Sequence, residues 1–316
     1  MNVLLTGASG FVGAHLLQRL AARPLGQTVV AVRKLPHQSP SPVRVHVVDD
    51  AAAKPDWSSA LLDTDAVVHL AARAHLLHDH ATDPLAAYRD VNTAGTLRLA
   101  EQAAGAGVRR FVFVSTAKVH GESTPPSRPF TEAAAPAPGD PYALSKWEAE
   151  QGLAVISART GMEVVVVRPP LVYGPHVKAN FAALMRAVAR GWPLPLAAID
   201  NRRSLVGLDN LVDFLLLCLD HPAAANQTFL VSDGEDLSTP ALLRRLGSAM
   251  GRPARLWTLS PTLLTAGATL LGRRAAAERL CGNLQVDTTK ARTLLNWSPP
   301  VSVDEGLRRA AAGLAP

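Results

Sequence analysis

Glycine recurs at positions 7, 10 and 13, between a short apolar run at residues 2–6 and a segment with leucines at 16, 17 and 20. A buried strand turning sharply into a helix has a use for each: Gly7 permits the turn, Gly10 lets a pyrophosphate approach the backbone, and Gly13 lets helix and strand pack closely. Phe11, Val12 and Gly13 then open the helix, where backbone N–H groups without helical partners favour an anion. Further apolar runs at 28–32, 43–48, 67–70, 111–114, 162–168 and 228–231 alternate with helical stretches, of which 84–103 is one. Strands this continuously apolar are covered on both faces, which indicates a parallel sheet. The expected fold is α/β: a Rossmann-type doubly wound parallel sheet with a smaller C-terminal mixed α/β lobe.

The run at 162–168 ends at Pro169-Pro170, which cannot continue a central ladder. Composition from there through 199 is loop-rich, so the chain is expected to leave the sheet for its second lobe. Residues 1–170 form the dinucleotide-binding domain, with 203–232 returning to it, and 171–202 with 233–316 form the substrate lobe. A capped helix is expected at 209–219, a helix capped by Ser238 or Thr239 at 237–250, and a surface loop at 121–139. The chain has 316 residues, 48% hydrophobic, enough for a large core. Its net charge of +6 is dispersed in pairs such as Arg202-Arg203. That spacing fits a solvated face or anchors for anionic small molecules, not a nucleic-acid stripe. Cys218 and Cys281 read as buried free thiols, and the opening residues run into a strand with no basic leader, so a cytoplasmic location is expected. The apolar stretch 259–272 is too short to span a bilayer. It reads as a helix packed on the smaller lobe, with contact to lipid or a partner as the alternative.

Arg33 follows the second strand, where an acidic side chain usually holds the ribose hydroxyls of NAD. A cation there favours a 2′-phosphate, so NADP(H) is preferred and NAD(H) remains possible; an arginine pointing into solvent beside Lys34 is the alternative. Asp49 or Asp50, after the third strand, can accept from the adenine amine or simply end the strand. Tyr142 and Lys146 lie four apart on a helix starting near Pro141, hence on one face. A lysine and a positive nicotinamide favour the phenolate and tune tyrosine for proton transfer. Thr116, at a strand terminus, can donate to the same substrate oxygen. His75, His78 and His80 lack the carboxylate or cysteine companions of a metal site, and no metal is expected.

These residues, with His69-Leu70-Ala71-Ala72, Asn92, Gly95-Thr96, Ser115-Thr116, Arg168-Pro169-x-x-Val172-Tyr173-Gly174-Pro175 and Asn296-Trp297-x-Pro299, resemble the extended short-chain dehydrogenases of the sugar-nucleotide epimerase/dehydratase family across almost the whole chain. The resemblance implies a catalytic set of Thr116, Tyr142 and Lys146. It adds Leu70, Ala71, Ala72, Asn92, Lys146 and Arg168 to the cofactor set, and Lys118, Asn180, Arg203 and Arg279 to Thr116 and Tyr142 as substrate contacts. By themselves Arg203 and Arg279 would read as surface residues, and Asn180 as a cap or loop residue. A UDP-sugar substrate, no membrane span and a homodimer pairing helices 84–103 and 142–159 are likewise implied; the apolar faces of those helices are equally compatible with packing inside one subunit.

Sugar-nucleotide 4,6-dehydratases of the family carry an Asp-Glu pair after the threonine, where this chain has Ala117 and Lys118. Alanine cannot transfer a proton, so dehydration is not expected. His120 replaces a common tyrosine and reads as packing. Segments 172–181, 201–206 and 229–234 resemble reductases that convert UDP-4-keto-6-deoxy-N-acetylglucosamine to UDP-N-acetylquinovosamine. A 4-ketoreductase is therefore expected, giving that product or its C4 epimer. The alternatives are a UDP-hexose or UDP-N-acetylhexosamine 4-epimerase and, in another class, a non-catalytic dinucleotide sensor.

Overall fold

The computed structural model describes residues 1–23, 26–32, 43–48, 55–74, 82–270, 272 and 274–314. Seven parallel strands form the main sheet: β1 (Val3–Thr6), β2 (Thr28–Val32), β3 (Val43–Val47), β4 (Ala66–His69), β5 (Arg110–Val114), β6 (Glu163–Arg168) and, after two strands of a separate sheet, β9 (Thr228–Leu230). Their order is β3-β2-β1-β4-β5-β6-β9, so the winding reverses between β1 and β4. In an open sheet of this kind ligands bind at that reversal, outside the carboxyl ends of the strands. β7 (Leu171–Tyr173) and β8 (Leu205–Gly207) pair with each other in a two-stranded parallel sheet of their own.

Helices α1 (Phe11–Ala21) and α2 (Ser58–Leu61) precede a helical run of three parts: α3 (Pro84–Tyr88), a π-helical stretch (Arg89–Ala94) and α4 (Gly95–Gly105). The single helix expected at 84–103 thus carries a π turn in its middle. α5 (Pro141–Thr160) packs against α4 and the π turn, covering one face of the sheet with a core that includes Leu99, Phe111, Phe113 and Leu153. The other face is covered by α1 and α7 (Leu208–Cys218), which bury Leu16, Leu20, Phe214 and Leu215.

α6 (Ala179–Ala189) lies within the stretch expected to be loop-rich. With α8 (Thr239–Ala249) and α12 (Val303–Ala312) it surrounds a smaller core of Tyr173, Phe181, Met185, Leu246 and Leu307. α9 (Pro261–Leu270), α10 (Arg274–Cys281) and α11 (Thr289–Leu295) complete the chain. α8 is capped by Ser238, as expected. α7 differs: it begins after Gly207 without a side-chain cap. Its Asp209 instead accepts from His15 at 2.9 Å and pairs with Arg309 at 3.0 Å, tying α7 to α1 and α12. Both cysteines are free, Cys218 buried but Cys281 only half-buried at the edge of α10. α9 buries no residue fully, so the packed helix expected at 259–272 is in fact largely exposed.

Candidate active site

Because all seven strands are parallel, their carboxyl ends share one edge. The glycine turn after β1, Leu70-Ala71-Ala72 after β4, Ser115-Thr116 after β5 and Arg168 at the end of β6 lie along it. Gly7 has φ +74°, and a Cβ there would stand 2.6 Å from the Ala71 nitrogen. At Gly13 a Cβ would be 2.1 Å from the Gly7 carbonyl oxygen. Both positions are closed to any side chain by backbone. A Cβ on Gly10 would meet only the Gly7 oxygen, at 3.1 Å, with open space beyond. Gly10 also caps α1 without a side-chain bond, which leaves the first-turn N–H groups to a ligand.

A buried chain of hydrogen bonds fixes this edge. The Ala71 N–H donates to Thr6 Oγ1 (3.3 Å), the Thr6 hydroxyl to His69 Nδ1 (2.8 Å), His69 Nε2–H to Thr96 Oγ1 (3.0 Å), and the Thr96 hydroxyl to the Asn92 carbonyl (2.7 Å). That donor order assigns a neutral imidazole protonated on Nε2. Burial, aided by the charge of Lys146, pushes His69 down to about 3. Nothing in the sequence singled His69 out beyond its place in a motif.

Asn92 sits in the π turn, fully buried. Its Oδ1 accepts from the Arg73 N–H at 2.8 Å, while Nδ2 donates to the Arg73 carbonyl at 3.1 Å and to Ser145 Oγ at 3.0 Å. Ser145 in turn donates to the Tyr142 carbonyl, and Thr93 donates to the Ser145 carbonyl. The π turn thereby clamps the strand loop to the helix that carries Tyr142 and Lys146. Local loosening of a helix is often found at functional positions.

Lys146 is 2% exposed, with Nζ 4.1 Å from the centroid of the Phe113 ring on β5. Burial lowers its ammonium to about 7, opposed by Glu150 one turn on. The Tyr142 phenol is raised above its usual value, first by burial and then by Asp140 and Tyr88, whose ring packs edge-on at 6.2 Å. The phenolate that the sequence expects a lysine and a positive nicotinamide to favour is thus disfavoured in the protein by itself, by burial first. Thr116 is buried at the end of β5 and caps a 3₁₀ turn, accepting from the Lys118 N–H at 3.3 Å.

Two expected ligand contacts are engaged elsewhere. Lys118 Nζ pairs with Asp140, the N-cap of α5, and with Glu122 at 2.7 Å. Arg168 makes a buried two-point pair with Glu150 of α5 and donates to His120 Nε2 at 2.8 Å. Both thus set the position of the helix carrying Tyr142. Asn180 is exposed at the start of α6. Arg203 and Arg279 do come together: Arg203 donates to the Arg279 carbonyl at 2.9 Å, and burial followed by the Arg279 charge lowers its guanidinium. His120 is buried against Phe130, donating to the Ala134 carbonyl at 3.0 Å. Arg33, Asp49 and Asp50, like His75, His78 and His80, lie outside the described residues.

Ser115 was missed as a site residue; its buried hydroxyl has no partner among the described residues. A lone serine beside a threonine gives no sequence signal, but a buried donor beside Thr116 fits a bound polar ligand. The open cradle at Gly10, the uncapped helix and this hydroxyl together fit a dinucleotide.

The sequence model of the NAD dependent epimerase/dehydratase family matches residues 3–232. A UDP-glucose 4-epimerase of Vibrio cholerae is 44% identical over 98% of this chain and 94% of its own length. The chain belongs to the NAD-dependent epimerase/dehydratase family. It is an enzyme of that family, whose members depend on NAD or NADP. The fold is that of UDP-glucuronic acid 4-epimerase from Bacillus cereus in complex with NAD, at TM-score 0.79 and 22% identity over 99% of this chain and 98% of the other. It is equally that of RMD from Pseudomonas aeruginosa complexed with NADPH, at TM-score 0.74 and 22% identity over 99% of both.

Proposed function

We propose that this epimerase/dehydratase interconverts the C4 epimers of a UDP-hexose or UDP-N-acetylhexosamine. The reading rests on one observation: Thr116, Tyr142 and Lys146 are carried to the same sheet edge as an open glycine cradle, with Tyr142 and Lys146 one helical turn apart. The relative of 44% identity supports a 4-epimerase over the 4-ketoreductase expected from sequence. Residues 1–170 with 203–232 hold the dinucleotide, and 171–202 with 233–316 hold the sugar nucleotide; β8 belongs spatially to the smaller sheet, while α7 and β9 belong to the main one.

The cofactor is held by the first-turn N–H groups of α1 over Gly10, by Leu70-Ala71-Ala72 and by Lys146. Bound there, the dinucleotide supplies the hydride acceptor and donor for carbon–oxygen chemistry at C4. Tyr142 takes the proton of the C4 hydroxyl as the carbon is oxidised and returns it when the ketone is reduced from the other face. Thr116 donates to the same oxygen, stabilising its negative charge. Lys146, once protonated, lowers the cost of the phenolate. Arg203 and Arg279 bind the diphosphate. Nicotinamide is not consumed over the cycle.

A second reading is retained because the residue that follows Val32 in the sequence is the cation Arg33. That favours NADPH and net reduction of a UDP-4-keto-6-deoxy-N-acetylhexosamine. Incubation of purified protein with UDP-glucose and catalytic NAD is expected to yield UDP-galactose at constant nicotinamide absorbance. No interconversion of UDP-hexoses or their N-acetyl forms, with stoichiometric NADPH loss on the 4-keto sugar, overturns the epimerase in favour of the reductase.

A further inference from the structure

α9 has the sequence Pro-Thr-Leu-Leu-Thr-Ala-Gly-Ala-Thr-Leu, without a single charge. Leu263, Ala266, Gly267 and Leu270 recur at the i, i+3, i+4, i+7 spacing that normally marks the face turned to the core. Here that stripe faces outward: Leu263 is 62% and Leu270 89% exposed. Among the described residues the helix is anchored through Leu264 on a cluster of Val188, Leu196, Ile199 and Leu243, and it packs against α10. An open apolar groove of about 650 Å³ runs along the helix from Pro261 to Leu270.

The strip of chain beside it continues the patch. Residues 194 and 256 form a bridge, with the Leu194 N–H donating to Arg255 and the Trp257 N–H to Leu194. On this short ladder Trp192 and Trp257 are 54% and 48% exposed. Around them stand exposed Arg186, Arg190, Arg252 and Arg255. Arg190 lies 5.3 Å from the Trp192 ring centroid. Residues 179–199 and 251–270, which together build this surface, contain no aspartate or glutamate.

We propose that α9 and the tryptophan ladder form a docking surface for an anionic lipid bilayer. An uncharged helix with leucines outward suits the acyl boundary, tryptophan suits the headgroup level, and the arginines complement lipid phosphates. The charge pattern selects this occupant over a second copy of the chain. A two-fold pairing sets a patch against itself, and here it would oppose the arginines of one copy to those of the other. The helix is too short to span, so the contact is peripheral.

Full-length protein is sedimented with vesicles of phosphatidylcholine alone and of phosphatidylcholine with phosphatidylglycerol, at low and high salt. The expected result is pelleting with the anionic vesicles only, reversed by salt, with a blue shift of tryptophan emission. Arg190→Glu with Arg255→Glu should weaken partition by about fivefold or more per arginine. Leu263→Glu with Leu270→Glu should abolish it, while circular dichroism and turnover of soluble substrate stay as in the wild type. Should the leucine variant misfold, the arginine pair and Trp257→Ala still decide. Equal pelleting with neutral vesicles, no pelleting with anionic ones, or self-association that the leucine changes abolish would each overturn the proposal. Loss of turnover in the wild type would count against the enzymatic reading and leave this one standing.

Discussion

Lys146 and Tyr142 are neighbours in a site that burial, more than either partner, has tuned. Because the folded-state value of Lys146, about 7, lies below its ordinary 10.5, the unfolded chain holds the extra proton between those values. Folding of the ligand-free protein is therefore penalised fully below pH 7, and the penalty disappears as pH rises through 10.5. Lys146→Met removes this dependence. Its stability advantage in urea denaturation should be largest at or below pH 7 and narrow steadily toward pH 10; a gap that widens with pH would contradict the assignment. Tyr142→Phe keeps the packing against Tyr88 but deletes the proton carrier, so turnover should fall by about 10²- to 10⁴-fold with sugar-nucleotide affinity little changed. Single-turnover kinetics with direct binding measurements separate the two. These residues were legible from sequence because a fixed spacing on a helix is a local property. Their protonation was not, since burial depends on Phe113 and on elements far along the chain.

At the scale of elements, α5 is held by side chains whose roles the sequence did not disclose. Arg168 was expected to touch the cofactor; its guanidinium is instead spent on Glu150 and His120, with side-chain exposures of 6% and 4% for the ion pair. Removing one partner strands a buried charge, so Glu150→Gln should cost about 3–5 kcal/mol in equilibrium unfolding. The paired change of Glu150→Met with Arg168→Met should recover much of that loss, which a purely steric role would not allow. The seven main strands were legible, because a doubly covered sheet writes itself as continuous apolar runs. The π turn was not, as its slack is set by the bonds of Asn92 to Arg73 and Ser145. α6 was hidden for another reason. It starts after Lys178 with no side-chain cap, no acid in its first turn and Ala179 at φ +57°, so every usual start signal is missing. The likeness to 4-ketoreductases also rested on segments that include residues the fold itself uses. Tyr173 donates to Asp233 at 2.8 Å, and Asp233 also accepts from Gly207 N–H and Asn210. Such a knot is required by the fold whatever the sugar.

Across the whole molecule, the smaller lobe meets the segment after Thr116 through charge. Lys118 binds Asp140 at the head of α5 and Glu122, and the Glu122 charge reaches Arg203, which lies against Arg279. Among the described residues neither arginine forms an ion pair, although burial and mutual repulsion both disfavour the charge on Arg203. A diphosphate entering between them would relieve that repulsion and supply acceptors for planar guanidinium groups. Hydrogen bonds to charged groups contribute about 1.5–3 kcal/mol, so Arg203→Ala should raise KM and the dissociation constant for UDP by about 10- to 150-fold. Because the contact persists unchanged from bound substrate to transition state, kcat should move little. Arg203 also donates to the Arg279 and Gly282 carbonyls, which would lose a donor in the variant. Arg279→Ala separates the two contributions: it leaves those carbonyl bonds in place while removing a cation, and should weaken UDP with unchanged thermal stability. If titration calorimetry finds UDP binding indifferent to both substitutions, the diphosphate lies elsewhere and the two arginines serve only to close the smaller lobe.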